Sequence, residues 1–581
     1  MYRPPIAAIT STLSAAGLDA VLELDEFAHV ERDGVEEMLA AYGKFVAEVI
    51  APSDRAGDRF GVVFEPTSGT VEVAPEVRTA FESWVAGGWC GLGASAAHGG
   101  GGLPSLVALA AEEMLASANL ALSLNPMLTQ GAIHVLERRA TEEQKARYLR
   151  PLVAGQWTGT MNLTEPQAGS DVGAITTRAT EMGDGTWRID GQKIFITWGD
   201  HELTENIVHL VLARTEGAAS GTRGLSLFVV PKRRVDSDGA PAERNGVCCI
   251  GIEHKLGIHS SPTCTLEFRG AIGELIGEVG EGMSHMFVMM NAARLSVGLE
   301  GLAVSERAYQ QALQYALERV QGRGPGSSAP SPIIEHPDVN RTLMLMSSSV
   351  DAMRMLLYST AAAIDRARFH TNPDERSSSL ARADLLTPLA KAWCTDEGVS
   401  NASHAIQVLG GAGFIEESGV AQRYRDARIA PIYEGTNGIQ AIDLALRKVR
   451  RDRGQALGDL VAELRILLEA IAPLSVVASD TALLASEALD AVCEAAAWLI
   501  SADEVDALAS ATAFLDLVAS TVAGCLLVAP ILKVHQSGDG ENARLAIARW
   551  RFFVLQRLAG AASSVRSITT TAELSTSLLR L

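Results

Sequence analysis

The feature that most constrains the fold of this chain is a change in hydrophobic period, from helical to alternating and back to helical. From Val35 to about Leu152, apolar residues recur every three or four positions, as in GVEEMLAAYGKFVAEVI, which predicts amphipathic helices. Between Trp157 and about Ile276, short β-branched and aromatic runs such as IVHLVLAR and GLSLFVVP replace them. After Gly282 the helical spacing returns. This order predicts a helical domain, a β domain and a second helical region.

The β region has a clear internal pattern. TWRIDGQKIFIT alternates around Asp190 and Gly191, a dipeptide that predicts a hairpin turn between two strands. Further strands follow at short intervals, so we expect a small antiparallel domain of roughly six to eight strands. By contrast, the Gly-rich run His98 to Gly102 has neither a preceding strand nor a following Lys-Ser/Thr pair. It is therefore interpreted as a flexible loop between helices and not as a phosphate cradle.

The second helical region contains several long patterns. One runs from Met283 to Val320 and ends in a Gly/Pro/Ser loop, and two more cover roughly residues 339–368 and 378–409. From about Asp452 the chain is rich in Ala and Leu with little Gly or Pro, which predicts additional helices. Its most apolar stretch, Leu517 to Leu532, contains Ser, Thr and Pro. It falls short of the roughly 20 apolar residues of a membrane span, so we expect a buried helix.

Charge and cysteine content exclude several kinds of protein. The 581 residues carry a formal net charge of -20, which argues against a surface that binds nucleic acid. The seven cysteines show no CxxC or Cys/His spacing, so we expect reduced thiols and no structural metal. Asp19 and Glu23 interrupt the N-terminal segment before a signal-like apolar core develops. We therefore expect a cytoplasmic location.

Three segments point to one family. They are MNLTEPQAGSD at residues 161–171, HAIQVLGGAGFIEE at 404–417 and RDARIAPIYEGTNGIQAIDLALRKV at 425–449. In this order they resemble the flavin-and-substrate loop, the dimer-contact flavin motif and the base-bearing segment of the acyl-CoA dehydrogenases. The resemblance covers about residues 36–450. The chain is most similar to the longer members with a C-terminal helical domain, such as the very-long-chain and 3-methylmercaptopropionyl-CoA dehydrogenases.

The resemblance implies an α+β fold that is mainly α. We expect an N-terminal extension at residues 1–34, an N-terminal helical domain at 35–156 and a central antiparallel β domain at 157–276. A four-helix bundle with the catalytic residue is expected at 277–450, and an extra C-terminal helical domain at 451–581. In longer relatives such a domain packs where a second dimer would dock. A role at a membrane surface is the alternative, which the short basic run at Arg450, Arg451 and Arg453 supports only weakly.

The same resemblance implies the reaction, the dehydrogenation of an acyl-CoA thioester between its α and β carbons. FAD accepts the hydride from the β carbon, and a carboxylate in a dry pocket removes the weakly acidic α-proton. Glu434 is the implied base, because Ala293 occupies the alternative position that some relatives use. Four further positions match residues that contact the substrate: Ser170, Asn291, Arg294 and Gly435.

A larger set matches residues that hold FAD. Most lie in the motifs quoted above, and others lie in TWRIDGQKIFIT or at the end of the first long helical pattern: Met161, Leu163, Thr164, Ser170, Phe195, Thr197, Arg319, Gln321, Gln407, Gly410, Gly411, Thr436 and Asn437. Several of these match positions that reach the cofactor of a neighbouring subunit, so the resemblance implies a homodimer. It also implies an electron-transfer flavoprotein as the acceptor of electrons.

Some alternatives stay open on the sequence alone. An acyl-CoA oxidase would share nearly every residue. A DNA-associated flavoprotein of the same fold would need a basic groove, for which a net charge of -20 gives no support. A catalytically silent homologue is disfavoured by Glu434 and its setting. The length of the acyl chain, and whether it carries a methylthio group, is not determined.

Overall fold

A computed structural model of the chain describes residues 2–578, with side chains as far as residue 570. These residues form two compact units. The first comprises residues 44–103 and 118–293, and the second comprises residues 2–43, 104–117 and 294–578. Met1 and residues 579–581, which belong to the predicted terminal segments, lie outside the described residues.

Before the β region the chain is mainly helical. In order, the elements are α1 (Ile6–Ala15), α2 (Leu18–Leu22), α3 (Arg32–Phe45), α4 (Ala51–Phe60), β1 (Val62–Glu65), β2 (Thr70–Val73), α5 (Pro75–Ala86), α6 (Ser105–Ala118), α7 (Leu120–Arg139) and α8 (Glu142–Val153). The antiparallel pair β1–β2 corrects the expectation of an unbroken helical pattern. Its strands contain VVF and TVEV, runs of β-branched and aromatic residues that favour strands over helices. His98 to Gly102 does form a loop.

The β region contains more strands than expected. The strands are β3 (Trp157–Asn162), β4 (Arg178–Glu181), β5 (Thr186–Thr197), β6 (Asn206–Thr215), β7 (Leu225–Pro231), β8 (Arg233–Val235), β9 (Pro241–Arg244), β10 (Val247–Ile252) and β11 (Thr263–Ile276). Seven of them form one sheet in the order β10-β11-β5-β4-β6-β3, with β7 paired to β11 and β6. The sheet is mainly antiparallel, but β6 runs parallel to β3 and to β4.

The predicted hairpin at Asp190 and Gly191 is wrong, because both residues lie inside the single strand β5. Each residue has a different role there. Asp190 accepts the N–H of Gly270 on β11 at 2.7 Å through Oδ1, next to a register shift in the β11–β5 pair. Gly191 approaches Thr177 so closely that a Cβ would lie 2.5 Å from its Oγ1. The dipeptide therefore serves a β irregularity and a close approach of backbones.

One face of the sheet in the first unit packs on α7. Gly159 of β3 lies against this helix, and a Cβ there would come within 2.5 Å of the Cβ of Ala132. Ile133 and Leu136 of α7 share a buried cluster with Val208 of β6. The small residues thus allow helix and sheet to approach closely enough to exclude water from the apolar side chains between them.

The second unit is built on long helices. These are α9 (Gly282–Glu318), whose first twelve residues belong to the first unit, α10 (Pro337–Phe369) and α11 (Pro373–Leu409). Their extents agree with the three long patterns in the sequence. Gly301 brings α9 against α11, since a Cβ there would lie 2.1 Å from the carbonyl oxygen of Cys394. The short α12 (Val420–Ala427) and α13 (Asn437–Ile442) follow, and α13 continues into a π-helix, Asp443–Arg450.

The C-terminal region is helical, as expected. It comprises α14 (Gln455–Ile471), α15 (Val476–Ser501), α16 (Glu504–Leu526), α17 (Val528–Gln536), α18 (Gly540–Arg557) and α19 (Ala561–Leu578). By length and composition, the described helices Gly282–Glu318 and Glu504–Gln536 could each cross a membrane, but 61% and 78% of their apolar windows are buried in the protein. The stretch from Leu517 to Leu532 is therefore largely a core helix, as predicted.

Candidate active site

The turn between α12 and α13 carries Glu434 in an unusual backbone conformation. Glu434 has a left-handed φ of 56° and Gly435 follows with a φ of 82°. A left-handed non-glycine residue costs on the order of 1–3 kcal/mol, and such strain is found where surrounding contacts impose it, often at functional sites. Here Gln440 donates to the carbonyl oxygen of Gly435 at 3.2 Å, and Thr436 caps α13 by accepting the N–H of Ile439. These hydrogen bonds hold the turn.

The electrostatic surroundings of Glu434 favour proton uptake near neutral pH. Desolvation raises the pKa of Glu434 to about 7, whereas the cations Arg294 and Lys391 act in the opposite direction. A carboxyl group with such a pKa is substantially ionised at neutral pH and is still a useful base. The site therefore combines a strained backbone with a perturbed carboxylate, a combination that marks functional sites.

Arg294 lies on α9 close to this turn. Its side chain is 9% exposed, and its Nη2 lies 3.9 Å from the position of a Cβ on Gly435. Burial lowers the pKa of Arg294, while the carboxylates of Asp443 and Glu434 raise it. The structure thus brings together Arg294, Glu434 and Gly435, three residues that the sequence predicted for one site. Ala293, at the alternative position for the base, is buried and has no ionisable group.

Lys391 is a charged residue of this site that the sequence analysis missed. It is fully buried on α11, and its Nζ donates to Oδ1 of Asn437 at 2.9 Å. Burial lowers the pKa of Lys391 to about 8, and Glu300 and Glu434 oppose this shift. The available signal was a lysine within the apolar helical run TPLAKAWC, where a cation needs a specific partner.

The side chain of Asn437 is used inside the protein. Besides accepting from Lys391, it donates through Nδ2 to the carbonyl oxygen of Ala392 and to Thr395, both at 3.0 Å. An amide group has two donors and one acceptor oxygen, so these bonds occupy it. Asn437 was predicted to contact the cofactor, but these bonds occupy its side chain, and its backbone N–H donates to the carbonyl oxygen of Pro431 at 3.0 Å.

A second carboxyl group lies close to Glu434 and was also missed. Glu300, on α9, is 3% exposed, and its Oε2 accepts a hydrogen bond from Tyr433 Oη at 2.5 Å. Burial raises the pKa of Glu300 to about 8. In the sequence, Glu300 stands in the apolar run LSVGLEGLAV, and its isolation there was the signal that could have identified it.

In the first unit, the loop Leu163–Glu165 is fixed by a buried ion pair. Lys193 of β5 donates to Glu165 Oε1 and to the carbonyl oxygen of Leu163, both at 2.9 Å. Thr176 and Thr177 donate to the same carboxylate through their N–H and hydroxyl groups. Neither residue of this pair was predicted from the sequence. It determines the path of the backbone around Thr164, which lies within the loop.

The predicted flavin residues of β5 lie beside that loop. The N–H of Ile194 donates to the carbonyl oxygen of Thr164 at 2.9 Å. A β-bulge follows, because the register of β5 shifts by one residue relative to β11 between Lys193 and Ile196. Within the bulge Phe195 has a φ of 59° and is 56% exposed. Bulges commonly redirect a side chain next to an active site, and this one leaves an aromatic ring uncovered.

The remaining predicted residues of the first unit are spread over three elements. Met161 is half-buried on β3, Leu163 is buried and Thr197 is half-buried at the end of β5. Ser170 is exposed in the loop after β3, and Asn291 is exposed on α9. Thr164 and Phe195 are neighbours, because the N–H of Ile194 donates to the carbonyl oxygen of Thr164.

The predicted phosphate-side residues lie at the ends of α9 and α11. Arg319 donates to Gln321 at 3.1 Å, and both are exposed. Gln407 is also exposed, and no described atom lies within 4 Å of a Cβ placed on Gly410 or Gly411. The two helix ends share a hydrophobic cluster that includes Ala316, Val408 and Leu409, so these five predicted residues belong to one region of the second unit.

Comparisons with known proteins identify the family. The chain matches the acyl-CoA dehydrogenase N-terminal domain over residues 33–156, the middle domain over 160–271 and the C-terminal domain over 280–448. It belongs to the acyl-CoA dehydrogenase family. Enzymes of this family depend on FAD and act on acyl-CoA thioesters, so the predictions of an acyl-CoA dehydrogenase and of FAD as its cofactor are confirmed.

Individual relatives cover most of the chain. The 3-methylmercaptopropionyl-CoA dehydrogenase of Ruegeria pomeroyi is 48% identical over 434 residues, 74% of this chain and 73% of that protein. The broad-specificity linear acyl-CoA dehydrogenase FadE5 of Mycobacterium tuberculosis is 38% identical over 488 residues, covering 82% and 79%. The crystal structure of Caenorhabditis elegans ACDH-11 with C11-CoA matches with a TM-score of 0.77 at 20% identity, covering 95% and 93%. This last likeness shows the fold, including that of the C-terminal extension.

The residues of the chain fit a flavin nucleotide on two observations. An exposed aromatic ring, Phe195, lies next to a fixed backbone loop in the first unit, and flat apolar rings pack well against other flat rings. In the second unit, Gly410 and Gly411 leave their backbone uncovered next to the polar Gln407, which suits the close approach of a phosphate. FAD supplies the acceptor for the hydride that protein side chains cannot take up.

Proposed function

We propose that this enzyme converts an acyl-CoA thioester to the trans-2-enoyl-CoA, with Glu434 as the base that removes the α-proton. The observation that carries the proposal is the carboxyl group of Glu434 in a left-handed turn, with a pKa raised to about 7 by burial. Arg294 and Lys391 keep a useful fraction of this carboxylate ionised at neutral pH. Once a proton has been transferred to it, the neutral acid is stable in the same desolvated setting.

The turn, Arg294 and Glu434 each have a separate role in this reaction. The strained turn orients the carboxylate of Glu434, so the base does not have to be ordered during the reaction. Arg294 adds a permanent positive charge close to the base, which favours the negative charge that develops on the thioester as the proton leaves. Glu434 then holds the α-proton on its carboxyl oxygen until solvent removes it.

The test of this assignment is Glu434→Gln, which keeps the size of the side chain but removes its basic oxygen. FAD should remain bound and acyl-CoA should still bind, because neither needs the carboxylate. The anaerobic loss of flavin absorbance on adding acyl-CoA should slow by at least the roughly 10²–10⁴-fold attributed to a general base. Glu469→Gln, which changes an exposed carboxylate on α14 of the same unit, is the control and should react at the parental rate. A Glu434→Gln enzyme that reacts as fast as the parent would exclude this base.

The substrate is proposed as the class of acyl-CoA thioesters. Relatives at 48% and 38% identity are named for a methylthio-substituted and for linear acyl-CoA substrates. A panel from C4 to C20 acyl-CoAs, with 3-methylmercaptopropionyl-CoA added, assigns the preferred chain. A role in the β-oxidation of fatty acids follows if unsubstituted linear chains react fastest.

For the electrons, we propose transfer to an electron-transfer flavoprotein. The acidic chain shows no motif for a second redox centre in its sequence, so an external acceptor is needed. The alternative is an acyl-CoA oxidase, in which oxygen takes the electrons. Stoichiometric hydrogen peroxide formation in air, at the rate of acyl-CoA consumption, would favour the oxidase.

We further propose a cytoplasmic homodimer. Large apolar side chains are exposed around the ends of α9 and α11, where Leu317, Val320, Phe414 and Ile415 are 50–83% exposed. An exposed apolar patch next to polar residues marks an association surface, and a second copy of the chain is the occupant that the family suggests. A purified protein that sediments as a monomer with FAD fully bound would contradict this assembly.

A further inference from the structure

Glu300 is an unusual residue to find beside a catalytic base. Its carboxyl group is almost completely buried, and Oε2 accepts the short hydrogen bond from Tyr433 Oη. Its other oxygen, Oε1, is buried and has no hydrogen-bond partner among the residues that the structure describes. Burial of an ionised carboxylate with half of its bonding capacity unused would be costly. The geometry therefore favours a neutral carboxylic acid at this position.

The charged groups around Glu300 support the same protonation state. Besides burial, Glu112 of α6 and Glu434 raise the pKa of Glu300, whereas Tyr433 and Lys391 of α11 lower it. The result is a pKa of about 8, so that about nine tenths of Glu300 is protonated at pH 7. Burial raises the pKa of Glu112 to about 7, so that about half of it is also neutral at pH 7.

We propose that Glu300 is a positioning residue for the base: through its hydrogen bond to Tyr433 it holds the turn that carries Glu434, and as a neutral acid it adds no second negative charge there. This inference rests on the assignment of Glu434 as the base. The link from Glu300 to the turn is short, because its partner Tyr433 is joined by a single peptide bond to the left-handed Glu434. If the bond to Glu300 were lost, the Tyr433 side chain could rotate, and the peptide group between Tyr433 and Glu434 would be held less firmly.

The role differs from that of the residues already placed around the base. Arg294 and Lys391 act on Glu434 through charge, and Gln440 holds the C-terminal side of the turn. The bond between Tyr433 and Glu300 holds its N-terminal side and connects it to α9. Loss of this bond should slow proton removal, which depends on the orientation of the carboxylate, and leave the affinity for acyl-CoA nearly unchanged.

Three variants test the proposal, with a fourth as the matched control. Glu300→Gln keeps an oxygen that can accept from Tyr433, whereas Glu300→Leu and Tyr433→Phe remove the bond. Tyr358→Phe is the control, because Tyr358 Oη also donates to a buried carboxylate of the second unit, Glu113, at 2.7 Å. Loss of either tyrosine hydroxyl should lower the melting temperature to a similar extent.

The rates should separate the variants. We expect anaerobic flavin reduction to slow about tenfold in Tyr433→Phe and Glu300→Leu, as the loss of one positioning hydrogen bond implies. Glu300→Gln should stay within about threefold of the parent and Tyr358→Phe at the parental rate. The dissociation constant for acyl-CoA should be the same in all of them. Equal slowing in the two tyrosine variants, or a parental rate in Tyr433→Phe, would overturn the proposal.

A spectroscopic measurement tests the protonation state without turnover. Infrared difference spectra of the protein between pH 7 and pH 9.5 should contain the carbonyl band of a protonated carboxylic acid that Glu300→Gln removes. An unchanged band in this variant would contradict a neutral Glu300, even if Glu300→Leu did not fold. If parent and variants all fail to reduce flavin with any acyl-CoA, the proposed function is wrong. If Glu434→Gln alone is slow, the function stands and the role of Glu300 is wrong.

Discussion

Removal of the buried cation Lys391 should shift the pH dependence of catalysis. Lys391→Met preserves the length and much of the volume of the side chain but deletes its charge. In the parent, Lys391 lowers the pKa of Glu434 and of Glu300. Without it, both carboxyl groups should protonate at higher pH. Glu434, the proposed base, would then be less ionised at neutral pH, whereas at high pH it would be ionised in parent and variant alike.

The size of the effect can be worked out from the pKa of about 7 for Glu434. At pH 7, this value leaves about half of the base ionised. A rise of about one unit, typical of losing one neighbouring charge, reduces the ionised fraction to about one tenth. The rate at pH 7 should therefore fall about fivefold, and the difference should nearly vanish by pH 9.

Anaerobic stopped-flow measurements of flavin reduction from pH 5.5 to pH 9.5 give the profile. Lys448→Met is the control, because Lys448 pairs with Asp384 at 2.8 Å on a partly exposed face of the same unit and is not among the groups that shift the pKa of Glu434. We expect an acid limb shifted upwards in Lys391→Met and unchanged in Lys448→Met. A uniform loss of rate at every pH would refute the electrostatic argument and point to a displaced Asn437 instead.

Two further predictions concern stability. Glu165→Ala should leave Lys193 buried without its charged partner, which costs about 3–5 kcal/mol of stability. The variant should have a lower melting temperature and retain FAD less well. The double variant Glu165→Leu with Lys193→Met should recover part of the stability. Arg557→Gln removes the ion pair that joins α18 to the buried Glu397 of α11 and should cost about 1–3 kcal/mol, measured by thermal unfolding, with Arg566→Gln at an exposed position as the control without effect.

The long helices were predictable from the sequence, and the irregularities of the sheet were not. The patterns over residues 339–368 and 378–409 differ from α10 and α11 by only a few residues at their starts and ends, because the 3.6-residue period is sustained over many turns. The Asp190-Gly191 pair suggested a hairpin, because Asp-Gly suits both a hairpin turn and a place where two backbones approach closely. The contact of Gly191 with Thr177 that decides between them involves residues distant in the sequence.

The prediction of the site had the same limit. Arg294, Glu434 and Gly435 were identified from motifs and lie together in the second unit. Asn437 was placed in the right segment, but its side-chain bonds to Lys391 and Thr395 depend on how α13 packs on α11. A motif shows which residue types occur at a position, but it does not show which groups their side chains bind.

The residues that motif matching missed have one property in common, which is a buried ionisable group. Glu300 and Lys391 occur in apolar helical runs and Lys193 directly precedes the apolar residues IFI, and each of the three is nearly or fully buried. Burying a charge costs several kcal/mol unless it is paired or neutralised, so each of them needs a partner that local sequence does not reveal. Those partners are Glu165 in the loop around Thr164, and Tyr433 and Asn437 in or next to the turn that carries Glu434. Burial of an ionisable group does not by itself mark the site, because Glu113 is also buried and pairs with Tyr358 of α10. The position of the partner distinguishes Lys193, Glu300 and Lys391.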